Sequence, residues 1–466
     1  MSDALMCVYD RLPIFARTVA ASAMGLYLRQ WRYGLRTEAL VLNTLERDRW
    51  PQANWNQYQH ERLRFVLHRA VKKVPYYRDQ WARRHREGDQ SSWEVLENWP
   101  ILEKERVREN PGAFVADDCN RRRMYAEHTS GTTGKPVELW WSLSTVRHWY
   151  AINEARCRRW YGISRRDRWA IIGGKLVTPV VQRHPPFWIW NSGLNQLYMS
   201  AYHLAPDLVP TYLDALERYR ITYLFGYSSA LHALAEAALR LGRDDLRLAV
   251  VISNAEPLLE HQRSAIARAF RCPVRETYGM AEIVTGASEC ERGNLHFWPE
   301  VGFVEIVNDS PDASRDLGDL VCTGLLNADM PLIRYRTGDT ARISNAACRC
   351  GRTLPVMASL EGRSDDLVVT MDGRKVGRLD PIFKGGLPIT EAQIVQETFT
   401  RIRLRYVPAV NCSADIEDQL RTRIQNRLGP VDVVFERVTH VPRSAFGKFR
   451  PVISNLTAHE RPVVGN

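Results

Sequence analysis

Apolar positions in the middle of the chain alternate between the spacing of a strand and the spacing of a helix. Short apolar runs typical of buried strands are followed by stretches in which apolar residues recur every three or four positions. The predicted strands are 168–173, 221–226, 248–253 and 273–278, and the predicted helices are 208–219, 230–241 and 258–270. This alternation predicts a parallel sheet with helices on its faces.

The pattern changes twice towards the C-terminus. Short strands separated by turns, at 304–307, 320–323 and 341–343, predict a barrel-like β region. Beyond it, a hairpin within 367–376, a strand at 401–410, a helix at 414–428 and a strand at 431–438 predict a small α+β domain. We therefore predict an α/β fold with a large N-terminal domain, residues 1–362, and a small C-terminal domain, residues 363–466.

Residues 11–27 form an apolar stretch near the N-terminus, interrupted by Arg17. The stretch is shorter than the roughly 20 residues of a membrane span. It also lacks the basic, apolar and small-residue order of a signal peptide. We predict an amphipathic helix packed on the body of the protein, and a helix that makes peripheral membrane contact is the alternative. The predicted location is cytoplasmic.

Composition and charge exclude several classes of protein. With 45% hydrophobic and 25% charged residues, the 466-residue chain is neither disordered nor fibrous nor a coiled coil. The net charge of +11 is spread thinly, whereas a nucleic-acid binder would concentrate it on one element, so we predict no nucleic-acid partner. An anionic small ligand suits this charge. Nine cysteines are too few for a disulfide scaffold.

A polar loop at residues 129–136 is the strongest local signal. Two glycines allow tight turns and close approach of backbone N–H groups to an anion, four hydroxyl groups add donors, and a lysine adds charge. The spacing differs from a Walker loop, which needs four residues between its glycines and leads into a helix. We predict that this loop binds phosphate through Thr129, Ser130, Gly131, Thr132, Thr133, Gly134 and Lys135; a ligand-free hairpin loop is the alternative.

Five further segments follow the loop in the same order as in a known superfamily. They are Asn254-Ala255-Glu256-Pro257, Tyr278-Gly279-Met280-Ala281-Glu282, Arg334-Tyr335-Arg336-Thr337-Gly338-Asp339, Gly362-Arg363-Ser364-Asp365-Asp366 and Pro442-Arg443-Ser444-Ala445-Phe446-Gly447-Lys448. Together with the loop they resemble the signatures of the adenylate-forming superfamily, which activates carboxylates with ATP. Cys348-Arg349-Cys350-Gly351 and Gln393-Ile394-Val395-Gln396 make the chain most similar to the CapK-like branch of the phenylacetate–CoA ligase group. That branch is often associated with surface polysaccharide biosynthesis.

The resemblance implies roles for the motif residues. The phosphate loop would hold the β- and γ-phosphates of ATP, and Glu282 would help to hold Mg²⁺, which prefers carboxylate oxygens. Asp339 would accept hydrogen bonds from the ribose, and Arg363 would reach towards the ribose or phosphate. Asn254, Ala255 and Glu256 belong to the segment that would lie against the adenine. Tyr278 would stack on or flank the adenine, with a core aromatic as the alternative, and Gly279 and Met280 of the same motif would bind ATP.

The resemblance also implies a catalytic lysine on a mobile small domain. Lys448 would place its ammonium group on the α-phosphate and acyl oxygens during adenylation. A rotation about the hinge residue Asp366 would then bring the hairpin at 371–376 to the acyl-adenylate for transfer. The acyl acceptor is CoA in the simplest case, and an amine or an acyl-carrier protein is the alternative. A catalytically silent nucleotide-binding partner is a third hypothesis.

Two pairs of residues have the spacing of metal ligands. Cys290 and His296 form a C-x5-H pair, and Cys348 and Cys350 form a C-x-C pair. Three thiolates and one imidazole suit tetrahedral, structural zinc, and some phenylacetate–CoA ligase relatives are similar in carrying zinc here. Four unrelated residues are the alternative. Candidates for the acyl pocket, each also a typical core residue, are His128, Trp169, Trp188, Trp190, Tyr223, Phe225 and Tyr227.

Overall fold

The computed structural model describes most of the chain. The described residues are 9, 11–129, 137–173, 177–178, 182, 184–204, 208–243, 245–308, 317–344, 346–363, 368–369, 375–376, 379, 382–383, 387–409, 415–442 and 450–456. They divide into two compact units, one of residues 1–337 and 342–358 and the other of residues 338–341 and 359–466.

The first unit contains nine α-helices and most of the strands among the described residues. The helices are α1 (Ile14–Arg32), α2 (Thr37–Arg47), α3 (Gln52–Lys73), α4 (Pro75–Arg86), α5 (Lys104–Glu109), α6 (Leu143–Cys157), α7 (Val209–Arg218), α8 (Ser228–Arg240) and α9 (Glu260–Phe270). The strands are β1 (Tyr125–His128), β2 (Glu138–Trp141), β3 (Trp169–Gly173), β4 (Trp188–Asn191), β5 (Gln196–Ser200), β6 (Tyr223–Gly226), β7 (Val250–Ser253), β8 (Val274–Gly279), β9 (Gly286–Glu289), β10 (Leu295–Phe297), β11 (Gly302–Val307) and β12 (Leu317–Gly324). Strands β13 (Tyr335–Ser344) and β14 (Val356–Arg363) have residues in both units.

One twelve-stranded sheet runs in the order β11-β12-β13-β14-β10-β9-β8-β7-β6-β3-β5-β4. Strands β5, β3, β6, β7 and β8 pair in parallel, as the alternation of strands and helices predicts. The strands predicted as a barrel-like region instead continue this sheet. The connection is made by β9, which pairs antiparallel with β8 on one side and with β10 on the other. The predicted α/β class is confirmed.

Both faces of the parallel strands are covered, which explains their continuous apolar runs. Successive residues of a strand point to opposite faces. On β6, Leu224 therefore packs in the same core cluster as residues of α7, α8 and α9, whereas Tyr223 and Phe225 pack in another cluster with residues of α6. None of the described helices combines the length and apolarity needed to cross a bilayer.

The second unit has its own sheet and core. Strands β17 (Ile389–Gln396), β18 (Arg401–Pro408), β19 (Asp432–Arg437) and β20 (Val452–Ser454) pair in the order β19-β18-β17-β20. Helix α10 (Ile416–Leu428) buries every fourth residue, from Ile416 to Leu428, in the core cluster of this unit. The short strands β15 (Val368–Val369) and β16 (Lys375–Val376) pair antiparallel, as the predicted hairpin requires.

A buried ion-pair network joins distant segments of the first unit. Arg156 is fully buried on α6, and its guanidinium donates to Asp48 at 2.9 Å and to Glu300 at 2.8 and 3.0 Å. Burial opposes the positive charge, but the two neighbouring carboxylates outweigh it and raise the pKa of Arg156 above its ordinary value. This network fixes the end of α2 and the segment before β11 against α6.

We expect Arg156→Ala to lower the free energy of unfolding by about 3–5 kcal/mol, because it leaves two buried carboxylates without their counter-charge. Arg78→Ala is the matched control, since Arg78 pairs with Asp117 at the surface and is 45% exposed. The measurement is urea denaturation followed by tryptophan fluorescence. A loss no larger than that of the control would contradict the stabilising role of Arg156.

Candidate functional site

The predicted adenine segments lie at one edge of the parallel sheet. Asn254 directly follows β7, and Tyr278 and Gly279 end β8. The backbone N–H of Asn254 donates to the carbonyl of Gly226, the last residue of β6, at 3.0 Å. Because the carboxyl ends of neighbouring parallel strands meet at one edge, these segments lie side by side where ligands of open α/β sheets typically bind.

Three non-glycine residues next to the motif residues have left-handed backbone conformations. They are Ala255 (φ 62°), Ile283 (φ 50°) and Arg334 (φ 47°). A positive φ is rare for any residue with a side chain and is a genuine outlier for a β-branched one such as Ile283. Strained backbone of this kind clusters at functional sites. Here a left-handed residue directly follows Asn254, another directly follows Glu282, and a third directly precedes Tyr335.

Asn254 has a buried acceptor and lies beside a cleft. Its Oδ1 atom is buried and has no hydrogen-bond partner among the described residues. The residue also lines a large cleft. A buried polar atom without a partner costs about 1–3 kcal/mol. A ligand that donates a hydrogen bond here would remove that cost.

Glu282 lies in a cluster of charged and polar groups. It is 8% exposed, and its Oε1 accepts hydrogen bonds from the hydroxyl of Tyr335 at 2.9 Å and from Nζ of Lys104 at 3.2 Å. The motifs predicted Glu282, but nothing in the sequence indicated Lys104. This lysine begins the short helix α5, far from Glu282 along the chain.

A strap before α5 brings Lys104 to the site. Leu102 forms an isolated parallel bridge with Tyr335. The N–H of Leu102 donates to the carbonyl of Arg334 at 2.9 Å, and the N–H of Arg336 donates to the carbonyl of Leu102 at 3.1 Å. The strap therefore holds the start of α5 against the motif that contains Tyr335.

The other predicted nucleotide residues in the first unit have structural partners of their own. Thr129 is buried, its N–H donates to the carbonyl of Val137, and its hydroxyl accepts from the N–H of Val137 at 2.9 Å, which closes the base of the phosphate loop. The carboxylate of Glu256 accepts from the N–H of Ser229 at 3.0 Å and so caps α8. Met280 directly follows β8 and is half-buried.

Asp339 lies on β13 within the second unit, where it is 8% exposed. Arg363 is the last residue of β14. The remaining predicted residues lie outside the described part of the chain: they are Ser130, Gly131, Thr132, Thr133, Gly134, Lys135, Asp366 and Lys448.

A large cleft opens beside Asn254. Its volume is about 1880 Å³, roughly twice the upper range of typical small-molecule pockets. His128 at the entrance to the phosphate loop also lines it, as do two of the aromatic candidates, Trp169 and Phe225. The other candidates do not: Trp188, Trp190 and Tyr227 pack against the core cluster between the sheet and helices α7 to α9, and Tyr223 is fully buried in the cluster on the other face.

Two other features of the cleft wall could not be predicted from local sequence patterns. Arg158 lies 5.2 Å from the ring of Trp169 and 5.5 Å from that of Phe225, and its Nε donates to the hydroxyl of Tyr223 at 2.8 Å. Cation–π contacts of this kind stabilise a buried guanidinium. Helix α1 also lines the cleft, with Met24, Leu26 and Tyr27 among its lining residues.

Cys290, His296, Cys348 and Cys350 come together as predicted, with ligand atoms all within 4.8 Å of one another. The Sγ atoms of Cys290 and Cys348 are 3.8 Å apart, and Sγ of Cys350 lies 3.5 Å from Nε2 of His296. Tetrahedral bonds of about 2.3 Å to sulfur and about 2.0–2.1 Å to nitrogen give separations of about 3.8 Å between two sulfurs and about 3.5 Å between sulfur and nitrogen. The four residues therefore fit a single zinc ion.

The surroundings of the cluster orient these ligands. The backbone N–H groups of Arg292 and Arg352 donate to Sγ of Cys290 and Cys350, at 3.4 and 3.5 Å. Nδ1 of His296 lies 3.0 Å from the carbonyl of Leu354, which leaves Nε2 as the metal-facing nitrogen. Burial lowers the pKa of His296 and so favours the neutral ring, whose Nε2 lone pair can bind a metal.

Two tight turns present the cysteines. Gly293 (φ 80°) closes one by donating its N–H to the carbonyl of Cys290. Gly351 (φ 79°) closes the other by donating to the carbonyl of Cys348. Only glycine adopts such angles without strain. His296 reaches the same point because β10 pairs with both β9 and β14.

Comparisons with known proteins bear on this arrangement. The family described as AMP-binding enzyme matches residues 55–306, more than half of the chain. The chain belongs to this family. A second family, the CapK C-terminal domain, matches residues 368–455. These matches confirm the predicted place in the adenylate-forming superfamily, phenylacetate–CoA ligase group, CapK-like branch, and the protein is an ATP-dependent, AMP-forming ligase.

Relatives differ in how much of the chain they match. Protein CapK of Staphylococcus aureus is 22% identical, over 96% of this chain and 99% of its own length. The phenylacetate-coenzyme A ligase of Pseudomonas putida is 28% identical, over 67% of this chain and 71% of its own. The solved structure of 2-hydroxyisobutyryl-CoA ligase in the postadenylation state, in complex with R3-HIB-AMP, has the same fold, with a TM-score of 0.65, 22% identity and coverage of 88% of this chain and 91% of that one.

Proposed function

We propose that the protein joins a carboxylic acid to AMP and then transfers the acyl group to CoA. The observation that carries this proposal is the arrangement at the carboxyl edge of the sheet. There, the unpartnered buried acceptor of Asn254 and the cleft lie beside β7 and β8, and Glu282 follows β8 in a polar cluster with Lys104. A nucleotide site next to an acyl-binding cleft is what adenylation requires.

The first reaction is a displacement at the α-phosphorus of ATP. An oxygen of the substrate carboxylate forms a bond to this phosphorus, the bond to the β-phosphate oxygen breaks, and pyrophosphate leaves with its electron pair. The protein has to align these groups and neutralise the charge that develops on them. We assign the binding of pyrophosphate to the loop whose base Thr129 closes, with Lys135 as its cation.

Glu282 would hold Mg²⁺ when the nucleotide is bound, and the ion would neutralise phosphate charge. The hydroxyl of Tyr335 orients the carboxylate of Glu282 through its 2.9 Å hydrogen bond. Lys104 adds a positive charge beside the same oxygen, so we assign it a share in neutralising the phosphates. We assign the contact with the ribose hydroxyls to Asp339 and the contact with the adenine to Tyr278. Arg363 would reach towards the ribose or a phosphate.

The catalytic lysine and the transfer step rest on the resemblance of the motifs. We assign to Lys448 the contact with the α-phosphate and the acyl oxygen, and to Asp366 the hinge between adenylation and transfer. The hairpin of β15 and β16 belongs to the face that would approach the acyl-adenylate for transfer. In the second unit, Gln396 holds this hairpin to β17 through two hydrogen bonds with the backbone of Val369.

The acyl group would occupy the cleft beside Asn254. Aromatic side chains and the guanidinium of Arg158 line its walls, so the cleft suits an acid with both apolar and polar parts.

An amine acceptor, giving an amide in polysaccharide or natural-product biosynthesis, is the second candidate. The observation that favours it is the extent of the matches. The phenylacetate-coenzyme A ligase of Pseudomonas putida matches only 67% of this chain, whereas CapK matches 96% of it and the CapK C-terminal domain matches residues 368–455. This difference in coverage supports an acceptor other than CoA as the second candidate.

We further propose that the cysteine and histidine cluster holds a structural zinc ion. The supporting observations are the tetrahedral separations and the backbone donors to Cys290 and Cys350. Four protein ligands leave no open position for a substrate, so the ion would not take part in catalysis. It would instead stabilise strands β9, β10 and β14, which contain or flank the four ligands.

We expect Lys448→Ala to lower carboxylate-dependent ATP–pyrophosphate exchange by about 100-fold or more, because it removes charge stabilisation from the transition state. Glu282→Gln should lower the same rate and raise the concentration of Mg²⁺ needed for half-maximal exchange. Lys72→Ala, on the exposed face of α3, is the control and should leave exchange unchanged. Unchanged exchange in Lys448→Ala would refute the assigned role.

Purified protein should contain about one equivalent of zinc by elemental analysis. Cys350→Ser should fall well below that value, because it removes one of four ligands. Cys119→Ser is the matched control, since Cys119 lies outside the cluster. A zinc content far below one equivalent in the unsubstituted protein would contradict the proposed zinc site.

Once an acid supports exchange, addition of CoA should release AMP and form a thioester that mass spectrometry detects. The thiol of CoA attacks the acyl carbon of the adenylate, and AMP leaves. If CoA yields no thioester and a primary amine yields an amide, CoA is not the acceptor and the second candidate replaces the first.

A further inference from the structure

Helix α1 carries an unusual concentration of exposed apolar side chains. Twelve large hydrophobic residues are exposed among the described residues, and seven of them lie between Ile14 and Leu35. Phe15 is 80% exposed, Val19 52% and Leu26 54%. Isolated exposed apolar residues are ordinary, but a contiguous group of them marks an interaction surface.

These residues form one outward stripe of the helix. Phe15, Val19 and Leu26 follow one another at spacings of four and seven residues, which places them on the same face. The face also contains Ala23 and Gln30, and none of these five residues is charged. A surface helix normally has charged residues on its outer face, so this helix is apolar where a soluble environment would favour charge.

The opposite face of α1 is the one that packs on the first unit. Gly25 is buried against Asn191, and a Cβ atom built on Gly193 would overlap the backbone nitrogen of Leu26. Arg17 is buried, and its Nε donates to the carbonyl of Leu12 at 2.8 Å. The close approach of backbones fixes the rotation of the helix. The apolar stripe therefore lies on the side of the helix opposite this packing, and its residues Ala23, Leu26 and Gln30 also line the cleft.

The charged residues from Arg11 to Arg36, within and beside the stripe, are all positive, and Asp10 lies just before this segment. Between Arg11 and Arg36 the sequence has five arginines and no aspartate or glutamate. Arg11, Arg29 and Arg36 are exposed, near the two ends of the helix. A second copy of the chain docked on this face would bring arginines close to arginines without an acidic partner from this segment. Anionic lipid headgroups, in contrast, complement both the apolar stripe and its basic flanks.

We propose that α1 docks the protein on an anionic membrane surface through Phe15, Val19 and Leu26. The helix would lie in the plane of the interface, in accord with the finding that no described helix could cross a bilayer. Met24 and Tyr27, on the same helix, line the large cleft and are 43% and 50% exposed. Docking would therefore place one wall of the cleft next to the bilayer, where an apolar or lipid-linked acid is available.

The test is co-sedimentation of the full chain with vesicles of phosphatidylcholine alone and of phosphatidylcholine and phosphatidylglycerol in equal parts. We expect binding to the anionic vesicles, weakened by salt. The affinity of the double variant Phe15→Glu and Val19→Glu for these vesicles should be lower by about tenfold or more. The reason is that two apolar contacts are replaced by negative charges, which the anionic lipids repel. Leu143→Glu with Leu241→Glu, at exposed leucines elsewhere, is the matched control and should bind normally.

Melting temperatures of the variants establish that they fold. Equal binding of the α1 variant and the unsubstituted protein would overturn the proposal. Absence of binding to anionic vesicles by the unsubstituted protein would also overturn it. In that case light scattering decides whether a second copy covers the stripe: a dimer that the α1 variant dissociates would identify self-association instead.

Discussion

A fully buried arginine is the constraint on which much of the first unit depends. A guanidinium without water is tolerable only when carboxylates surround it, so Arg156 requires Asp48 and Glu300 at fixed positions. Asp48 in turn accepts a hydrogen bond from Nε1 of Trp160, and its carbonyl accepts from the N–H of Thr353, three residues after Cys350. The same network thus connects the N-terminal helices, the helix α6 and the loop that carries two of the candidate zinc ligands. Zinc bound at that cluster would further stabilise the loop that carries Cys348 and Cys350.

The candidate nucleotide site depends on a different principle, which is the geometry of a parallel sheet. Strands β6, β7 and β8 end at one edge and deliver Asn254 and Glu282 to it, while the apolar residues on both faces of these strands keep the edge rigid. Left-handed backbone at Ala255 and Ile283 turns the chain sharply just beyond the strands. The rigid sheet holds these turns in place, so the ligand meets an arrangement that is already formed.

Local patterns were sufficient to predict elements whose period is regular, such as β6, α8 and β7, because burial on both faces imposes continuous apolar runs. Strands β4 and β5 were missed, since Trp188–Asn191 and Gln196–Ser200 mix polar and aromatic residues without a clear period. The grouping of Cys290, His296, Cys348 and Cys350 could be predicted because each half has ligand spacing within a few residues. Lys104 could not, because its contact with Glu282 depends on a strap that pairs with Tyr335 far along the chain. The cleft wall formed by α1 is likewise a long-range contact that no local pattern encodes.

Formation of an acyl-adenylate can be measured directly as exchange of pyrophosphate into ATP. Labelled pyrophosphate is incubated with the protein, ATP and Mg²⁺ over a panel of aryl, fatty, amino and sugar acids, without CoA. We expect label to enter ATP with at least one class of acid and only in its presence, because adenylation is reversible and needs no acceptor. Binding of ATP and Mg²⁺ without exchange for any acid would refute adenylation by this protein and would favour a catalytically silent nucleotide-binding protein.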